Sequence, residues 1–386
     1  MAPFVIPKVK NVTQTCDILV IGAGIAGASA ACALSASARV TLLEQESQPG
    51  YHTTGRSAAL FTESYGNLTI RTLTTAGRAF FEAPPEDFGD HPLLIARGTL
   101  FIARKDQIGA LEAMLDQTPV SAKPAHRIDA AAAIALNPAL NPDYVAAAIH
   151  ETGAEDIDVH AVHGGFLRGL RHRGGQLVTD AEVRDLSRQG GVWVADTRAG
   201  RFAAPIVVNA AGAWCDVIAG LAGVRPCGLV PKRRTAFTFD PPEGADISAW
   251  PATIDIDEQF YFKPEAGRIL GSPADETPSP PCDAQPEELD LAIGVDRIER
   301  ATNLTVRHLV NKWAGLRSFV ADKIPVVGFE PGVDGFFWLA GQGGYGIQTS
   351  PALSRVVASL IATGDLPQDL IARGLDKAML APARLR

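Results

Sequence analysis

Gly22, Gly24 and Gly27 stand at the spacing G-x-G-x-x-G in VIGAGIAGASA, directly behind the apolar run of Ile18, Leu19, Val20 and Ile21. In a strand–turn–helix unit the first glycine permits the turn. The second lets backbone approach a pyrophosphate, and the third lets helix pack closely on strand. Val40 to Leu43 read as the next strand, and Glu44 ends it, where a carboxylate can accept hydrogen bonds from a ribose diol. An acid there disfavours a 2′-phosphate, so NADP is the least suited dinucleotide and NAD and FAD are left. Ile25 and Ala26 begin the helix and Gln45 follows the acid, so they share this site. A second glycine cluster, Gly341, Gly343, Gly344 and Gly346, lies between the run FFWLA and a helical pattern near the C-terminus. No later strand ends in an acid, so this cluster is not a second adenosine site.

The rest of the chain must hold these elements. At 386 residues with 46% apolar side chains, the chain can build two domains, or one interrupted by another. A formal charge of −8 argues against a nucleic-acid or anionic-membrane surface, and no nucleic-acid partner is expected. Five scattered cysteines without a C-x-x-C pair are neither a disulfide framework nor a zinc site, and they fit a reducing cytoplasm. Residues 18–38 carry no charge, but their glycines, serines and alanines partition weakly into lipid, so no transmembrane segment is expected. The opening MAPFVIPKVKNVTQT has no continuous apolar core, and no signal peptide is read there.

Residues 52–82 begin polar and become helical, and HPLLIARGTLFIAR reads as strands turning at Arg97-Gly98. Residues 106–138 read as helical. DIDVHAVHGGFLRGLRHRGGQL reads as a helix capped by Asp156 or Asp158. EVRDLSRQGGVWVADTRAGRF reads as a meander, APIVVNAAGAWCD as a buried strand running into a turn, and TPSPPCDAQPEE as an exposed loop. Dinucleotide-type segments at the start, middle and end are thus interleaved with strand-rich ones. The expected fold is α/β: a Rossmann-like cofactor domain (1–82, 151–229 and 313–386) with an inserted α+β substrate domain (83–150 and 230–312) on a mixed or antiparallel sheet.

GAGIAG with Glu44, then HTTGRSAA, VVNAAGAWCD, WAGLRSF and GQGGYGIQTS, together resemble the flavin-dependent D-amino-acid oxidase superfamily. In order and wording the blocks are nearest to the bacterial D-arginine dehydrogenases, over Asp17 to about Arg384. The resemblance implies non-covalent FAD, with its adenosine along Gly22 to Gly27 and Glu44. It places Thr53, Thr54, Gly55, Arg56, Ser57, Ala58 and Ala59 in a loop beside the flavin, and Ala210, Ala211, Gly212 and Trp214 in a second loop along the cofactor. Val183, Gly315 and Arg317 join the cofactor set. Gly343, Gly344, Tyr345, Gly346, Ile347 and Gln348 then face the flavin, where backbone donors at a helix start stabilise the negative charge that develops on reduction.

The same resemblance implies oxidative deamination of a D-amino acid: hydride passes from Cα to flavin N5, and the imino acid hydrolyses to a 2-oxo acid and ammonia. Arg317 and Arg234 match the family's carboxylate-binding blocks, a task suited to a planar guanidinium fork, and Tyr65 and Tyr261 match tyrosines that add hydroxyl donors. Arg317 lies in an apolar stretch and needs an anion, whereas Lys232 and Arg233 read as a solvated charge run. Against the D-arginine enzymes, Leu60 replaces a histidine and Thr99 a glutamate. With Gly344 these line the expected substrate pocket, which shifts preference towards neutral or apolar side chains. A glycine- or sarcosine-type oxidase on the same fold is the alternative. The electron acceptor is O₂, a quinone or an electron-transfer protein. The expected location is cytoplasmic, peripheral to the inner membrane if the acceptor is a quinone. His52 reads as structural. His160 and His163, with no third ligand nearby, read as a solvent-facing helix surface, and no metal is expected.

Overall fold

A computed structural model describes residues 13–89, 91–116 and 125–386. Residues 1–12, where no signal peptide was expected, and 117–124, inside the stretch read as helical, lie outside the described residues. The fold is mixed α/β. Its cofactor layer is a six-stranded sheet in the order Gln176–Val178, Val40–Leu43, Ile18–Ile21, Ile206–Asn209, Phe336–Ala340 and Val326–Phe329. The first five run parallel and the last is antiparallel. Ile18 and Val20 pack into one core and Leu19 and Ile21 into another, on opposite faces. Strands buried on both faces read as unbroken apolar runs, which is why ILVI and FFWLA could be recognised. Helices Ile25–Leu34, Val159–His172 and Gly346–Thr363 contribute to the core on one face. The other face carries the meander Val183–Gln189, Val192–Thr197 and Gly200–Ala204 with helix Cys215–Leu221.

The second large sheet runs Thr277–Pro278, Val230–Phe239, Arg268–Ser272, Tyr261–Glu265, Ala252–Asp255, Thr99–Ala103, Ala147–Glu151 and Ala125–Asp129, with Asn311–Phe319 paired to Val230–Phe239. It is antiparallel except where Ala252–Asp255 joins Thr99–Ala103 and is therefore mixed. The division of the chain at 82/83, 150/151, 229/230 and 312/313 is a proposal, and the strand Asn311–Phe319 crosses the last of these points.

Several local expectations change. Ala125–Asp129, inside the stretch read as helical, is a strand, because an edge position beside Ala147–Glu151 overrides local helix propensity. Leu94–Ala96 and Thr99–Ala103 turn at Gly98 but join different sheets, so they do not form a hairpin. Asp158, not Asp156, caps helix Val159–His172 by accepting from the Ala161 amide. No described helix is long and apolar enough to cross a membrane; residues 18–38 divide into a strand and a ten-residue helix.

Candidate functional site

A cavity of about 430 Å³ runs from the carboxyl ends of the parallel strands to the face of the second sheet. Its walls include Gly22, Gly24, Ile25, Ala26, Glu44, Gln45, Thr53, Thr54, Arg56, Ser57, Ala58 and Val183. They continue through Ala210, Ala211, Gly212, Trp214, Gly315, Arg317, Gly343, Gly344, Gly346 and Ile347. A smaller cavity of about 70 Å³ shares Arg234, Tyr261, Arg317, Gly344 and Ile347, and adds Ala59, Leu60, Tyr65 and Gln348. Most of the expected site residues therefore converge on two adjoining spaces.

At the adenosine end the turn is held by its neighbours. Gly22 has φ +99°, and a Cβ on Gly27 would lie 1.8 Å from the Gly22 carbonyl oxygen. Gly27 lines neither cavity; it lets the helix sit against the turn. Glu44 accepts from the backbone N–H of Ala23 at 2.8 Å and of Glu46 at 3.0 Å, which fixes its carboxylate. Burial nevertheless raises its pKa. Thr54 Oγ1 accepts from the Ile25 amide at 3.0 Å, tying the second loop to the first helix turn.

His163 departs from expectation. It is buried rather than solvent-facing, and its Nε2–H donates to the Ala23 carbonyl at 2.9 Å, bracing the glycine turn from behind. No group of His, Cys, Asp and Glu suited to a metal occurs among the described residues. Burial depresses the His163 pKa below 6.5. Above that value both folded and unfolded chains hold it neutral; below it the unfolded chain takes the proton first, so stability is lost as pH falls through the folded value. We therefore expect Tm to fall less for H163Q than for the parent chain between about pH 7 and pH 5, as measured by thermal unfolding. Equal falls would exclude His163 as a source of acid sensitivity.

The middle loop is pinned to strand Asn311–Phe319. Thr53 Oγ1 donates to the Leu316 carbonyl at 2.8 Å, and Arg56 donates to the carbonyls of Ala314 and Ala284 and pairs with Asp283. The proline-rich stretch read as an exposed loop thus contributes two of the groups that hold Arg56. Gly55 stands against the Gly50 carbonyl and outside the cavity wall. His52 pairs with Glu46 and packs on Trp214, in keeping with a structural role.

At the other end, helix Gly346–Thr363 begins without a side-chain cap, so its first amides are free to serve a group in the cavity. Gly343, at φ +55°, is demanded by the Phe319 ring, 2.1 Å from where a Cβ would stand. A Cβ on Gly344 would come within 2.9 Å of Arg317 Nη1, so the glycine leaves room for the guanidinium. Tyr345 lines neither cavity; its ring packs at a tilt against Tyr65 with centroids 5.1 Å apart, and burial pushes its pKa up to about 12.

Strand alternation explains the two arginines. In Val230–Phe239, Arg234 and Ala236 face the cavity, while Arg233 points the other way into ion pairs with Glu287 and Asp290. The solvated reading of Arg233 is thereby corrected: an opposite-face acidic cluster buries it. Arg234 pairs across the strands with Gly315, which makes space beside it, and Arg317 lies two pairs further along, on the same face. Arg234 donates Nε–H to the Asp275 carbonyl at 2.9 Å, whereas no hydrogen bond or ion pair holds the Arg317 guanidinium among the described residues. Burial and then the Arg317 charge lower the Arg234 pKa, as expected where two cations converge on a site built for an anion.

Thr99, expected in the pocket, lines neither cavity. It is fully buried in the second sheet opposite Glu151. The acid on the pocket wall is Glu258, at the tip of a hairpin, accepting from the Tyr65 hydroxyl at 3.1 Å. Sequence reasoning missed Glu258, Ile254 and Phe260, and on the larger cavity Tyr51, Ser318 and Gln342, because none belongs to a motif; only folding brings them there.

These walls match the expectation of a flavin dinucleotide on two counts. The glycine turn presents backbone where a Cβ would intrude. Buried Ser318 Oγ and Gln342 Nε2, both on the wall, have no partner among the described residues, as groups poised for a polar ligand would. Residues 17–360 match the model of the FAD dependent oxidoreductase family, DAO, and the chain belongs to that family. Its cofactor is FAD. The chain is 24% identical to the mitochondrial dimethylglycine dehydrogenase of Rattus norvegicus over 95% of its own length and 45% of that protein's, so it spans less than half of that relative. Its fold matches L-proline dehydrogenase from P. horikoshii at TM-score 0.82 and 22% identity, covering 97% and 98% of the two chains. Glycine oxidase from Geobacillus kaustophilus matches at TM-score 0.80 and 21% identity, covering 95% and 99%.

Proposed function

We propose that the substrate is an α-amino acid, that its carboxylate binds Arg317 and Arg234, and that its amine is oxidised to an imine that water then hydrolyses. The observation that carries this reading is the Arg317 guanidinium, unpaired among the described residues on a wall shared by both cavities. Bound FAD supplies the two-electron acceptor. Arg317 provides a fork matched to a carboxylate, Arg234 adds charge, and the Tyr65 and Tyr261 hydroxyls supply further donors. Enclosing the substrate between the sheet and residues 57–65 excludes water and fixes orientation, which is most of what such an oxidation asks of a protein.

A D-amino acid with a compact neutral side chain is the first reading of substrate class. Leu60, Ile254, Phe260 and Ile347 make the small cavity largely apolar, and the Tyr65 hydroxyl already engages Glu258. The D-configuration rests on the sequence resemblance. A second reading, glycine or an N-methylglycine, is favoured by the cavity volume of about 70 Å³ and by the names of two relatives.

Anaerobic mixing of the yellow protein with D-Met, D-Leu, D-Phe, D-Arg, D-Lys, their L-forms, glycine and N-methylglycine discriminates these. Fast bleaching by D-Met or D-Leu with ammonia and oxo acid as products supports the first reading. Glyoxylate or formaldehyde supports the second. A far higher kcat/KM for D-Arg and D-Lys than for D-Met sinks the neutral preference. The rate of colour return in air separates O₂ from another acceptor.

A further inference from the structure

We propose that Glu151 is a positioning residue for the substrate pocket, holding the segment Thr62–Ser64 so that Thr62 and Tyr65 stay on the pocket wall. The proposal rests on the reading of that pocket given above. Glu151 ends strand Ala147–Glu151 and is 3% exposed. Its Oε2 accepts from the Thr62 hydroxyl at 2.8 Å and from the Ser64 hydroxyl, and its Oε1 accepts from the Glu63 backbone N–H at 2.9 Å. Three donors on three consecutive residues thus converge on one carboxylate, directly before Tyr65. Thr62, Leu60 and Tyr65 all line the small cavity.

Little regular backbone structure fixes the segment. Leu60–Phe61 is a two-residue strand, and residues 62–66 have no regular structure. The Gln348 side chain accepts from the Thr62 amide at 3.3 Å, and the Glu63 carboxylate turns away to Arg78. An unpartnered carboxylate this deeply buried would be costly; these three donors, together with the nearby charge of Arg71, make Glu151 tolerable there. The coupling runs both ways: the loop satisfies the charge, and the charge fixes the loop. Thr99, opposite Glu151 in the strand register, keeps a buried hydroxyl without a partner among the described residues, so it does not compete for those donors.

The holoenzyme variants E151A, E151Q and S64A test this with D-methionine and N-methylglycine as probes, together with hydrogen exchange over residues 60–66. E151A is expected to raise KM about tenfold or more for the turned-over probe, with kcat within about threefold and FAD content unchanged, because a loosened wall weakens binding before chemistry. E151Q should recover much of the loss. Its amide oxygen still accepts from the Glu63 N–H, and the two hydroxyls can rotate to accept from its NH₂. S64A should give a smaller rise. Amides 62–65 should exchange faster in E151A while those of helix Leu68–Glu82 do not. Unchanged KM, unchanged exchange over 62–65, or a parallel loss of FAD and kcat would each overturn the proposal. If E151A does not fold, E151Q and S64A carry the same comparison. If neither probe bleaches the parent flavin, the functional reading has failed, and the exchange measurement still decides the anchoring.

Discussion

The R317L variant is expected to lose about 10²- to 10³-fold or more in kcat/KM while it retains FAD. Removing one partner of an enclosed charge pair costs about 3–5 kcal/mol, and each 1.36 kcal/mol is a factor of ten. On the proposed function the abandoned partner in the complex is the substrate carboxylate, so the loss should fall on substrate binding and orientation. In the free protein the sign is opposite. Arg317 has no ion pair or hydrogen bond among the described residues, so leucine removes a partly buried, unpaired cation, and Tm should hold or rise. Retained yellow colour, unchanged or higher Tm and collapsed turnover together have no simple structural explanation. R317K keeps the charge without the fork and should fall between the two. Turnover by R317L within a few-fold of the parent would remove Arg317 from the site and leave Arg234 to explain carboxylate binding alone.

Gly27→Ala should give the largest loss of stability and cofactor. The new methyl would stand 1.8 Å from the Gly22 carbonyl oxygen, and that neighbour is backbone in a turn at φ +99°, which cannot swing aside as a side chain would. Overpacking a core costs about 1–3 kcal/mol where side chains can adjust, so a clash with backbone should exceed that range. The helix must move off the turn, which shifts the Ala23 amide away from Glu44 and the Ala23 carbonyl away from His163. We expect colourless protein on purification and a Tm lowered by several degrees or more. Gly109→Ala is the matched control. Nothing lies within 4 Å of its Cβ position, it sits in helix Ile108–Asp116 and its φ is not positive. There alanine should be neutral or stabilise by about 0.4–1 kcal/mol. A yellow, fully stable G27A protein would mean that the turn is looser than these contacts imply.

The sequence by itself determined the cofactor half of this protein. Strands buried on both faces must be continuous apolar runs, and a helix that presses on a pyrophosphate-binding turn must carry glycine at fixed offsets; Ile18–Ile21, Gly22, Gly24, Gly27 and Glu44 satisfy both within one short segment. Family-like blocks extended this to Arg234, Arg317 and the glycines around Gly343. Tertiary structure decided what depends on pairing between distant segments. Whether Arg233 or Arg234 faces the cavity is a matter of strand register, and a charge run looks the same from either face. Thr99 left the pocket and Glu258 entered it because a hairpin tip, not a motif, forms that wall. His163 braces the first turn across 140 residues, and Glu151 reaches the Thr62–Ser64 segment across 87 to 89. Local spacing encodes contacts a chain makes with its own next turn. Contacts that close a pocket are made between elements whose separation in sequence carries no periodic trace, so only the folded chain fixes them.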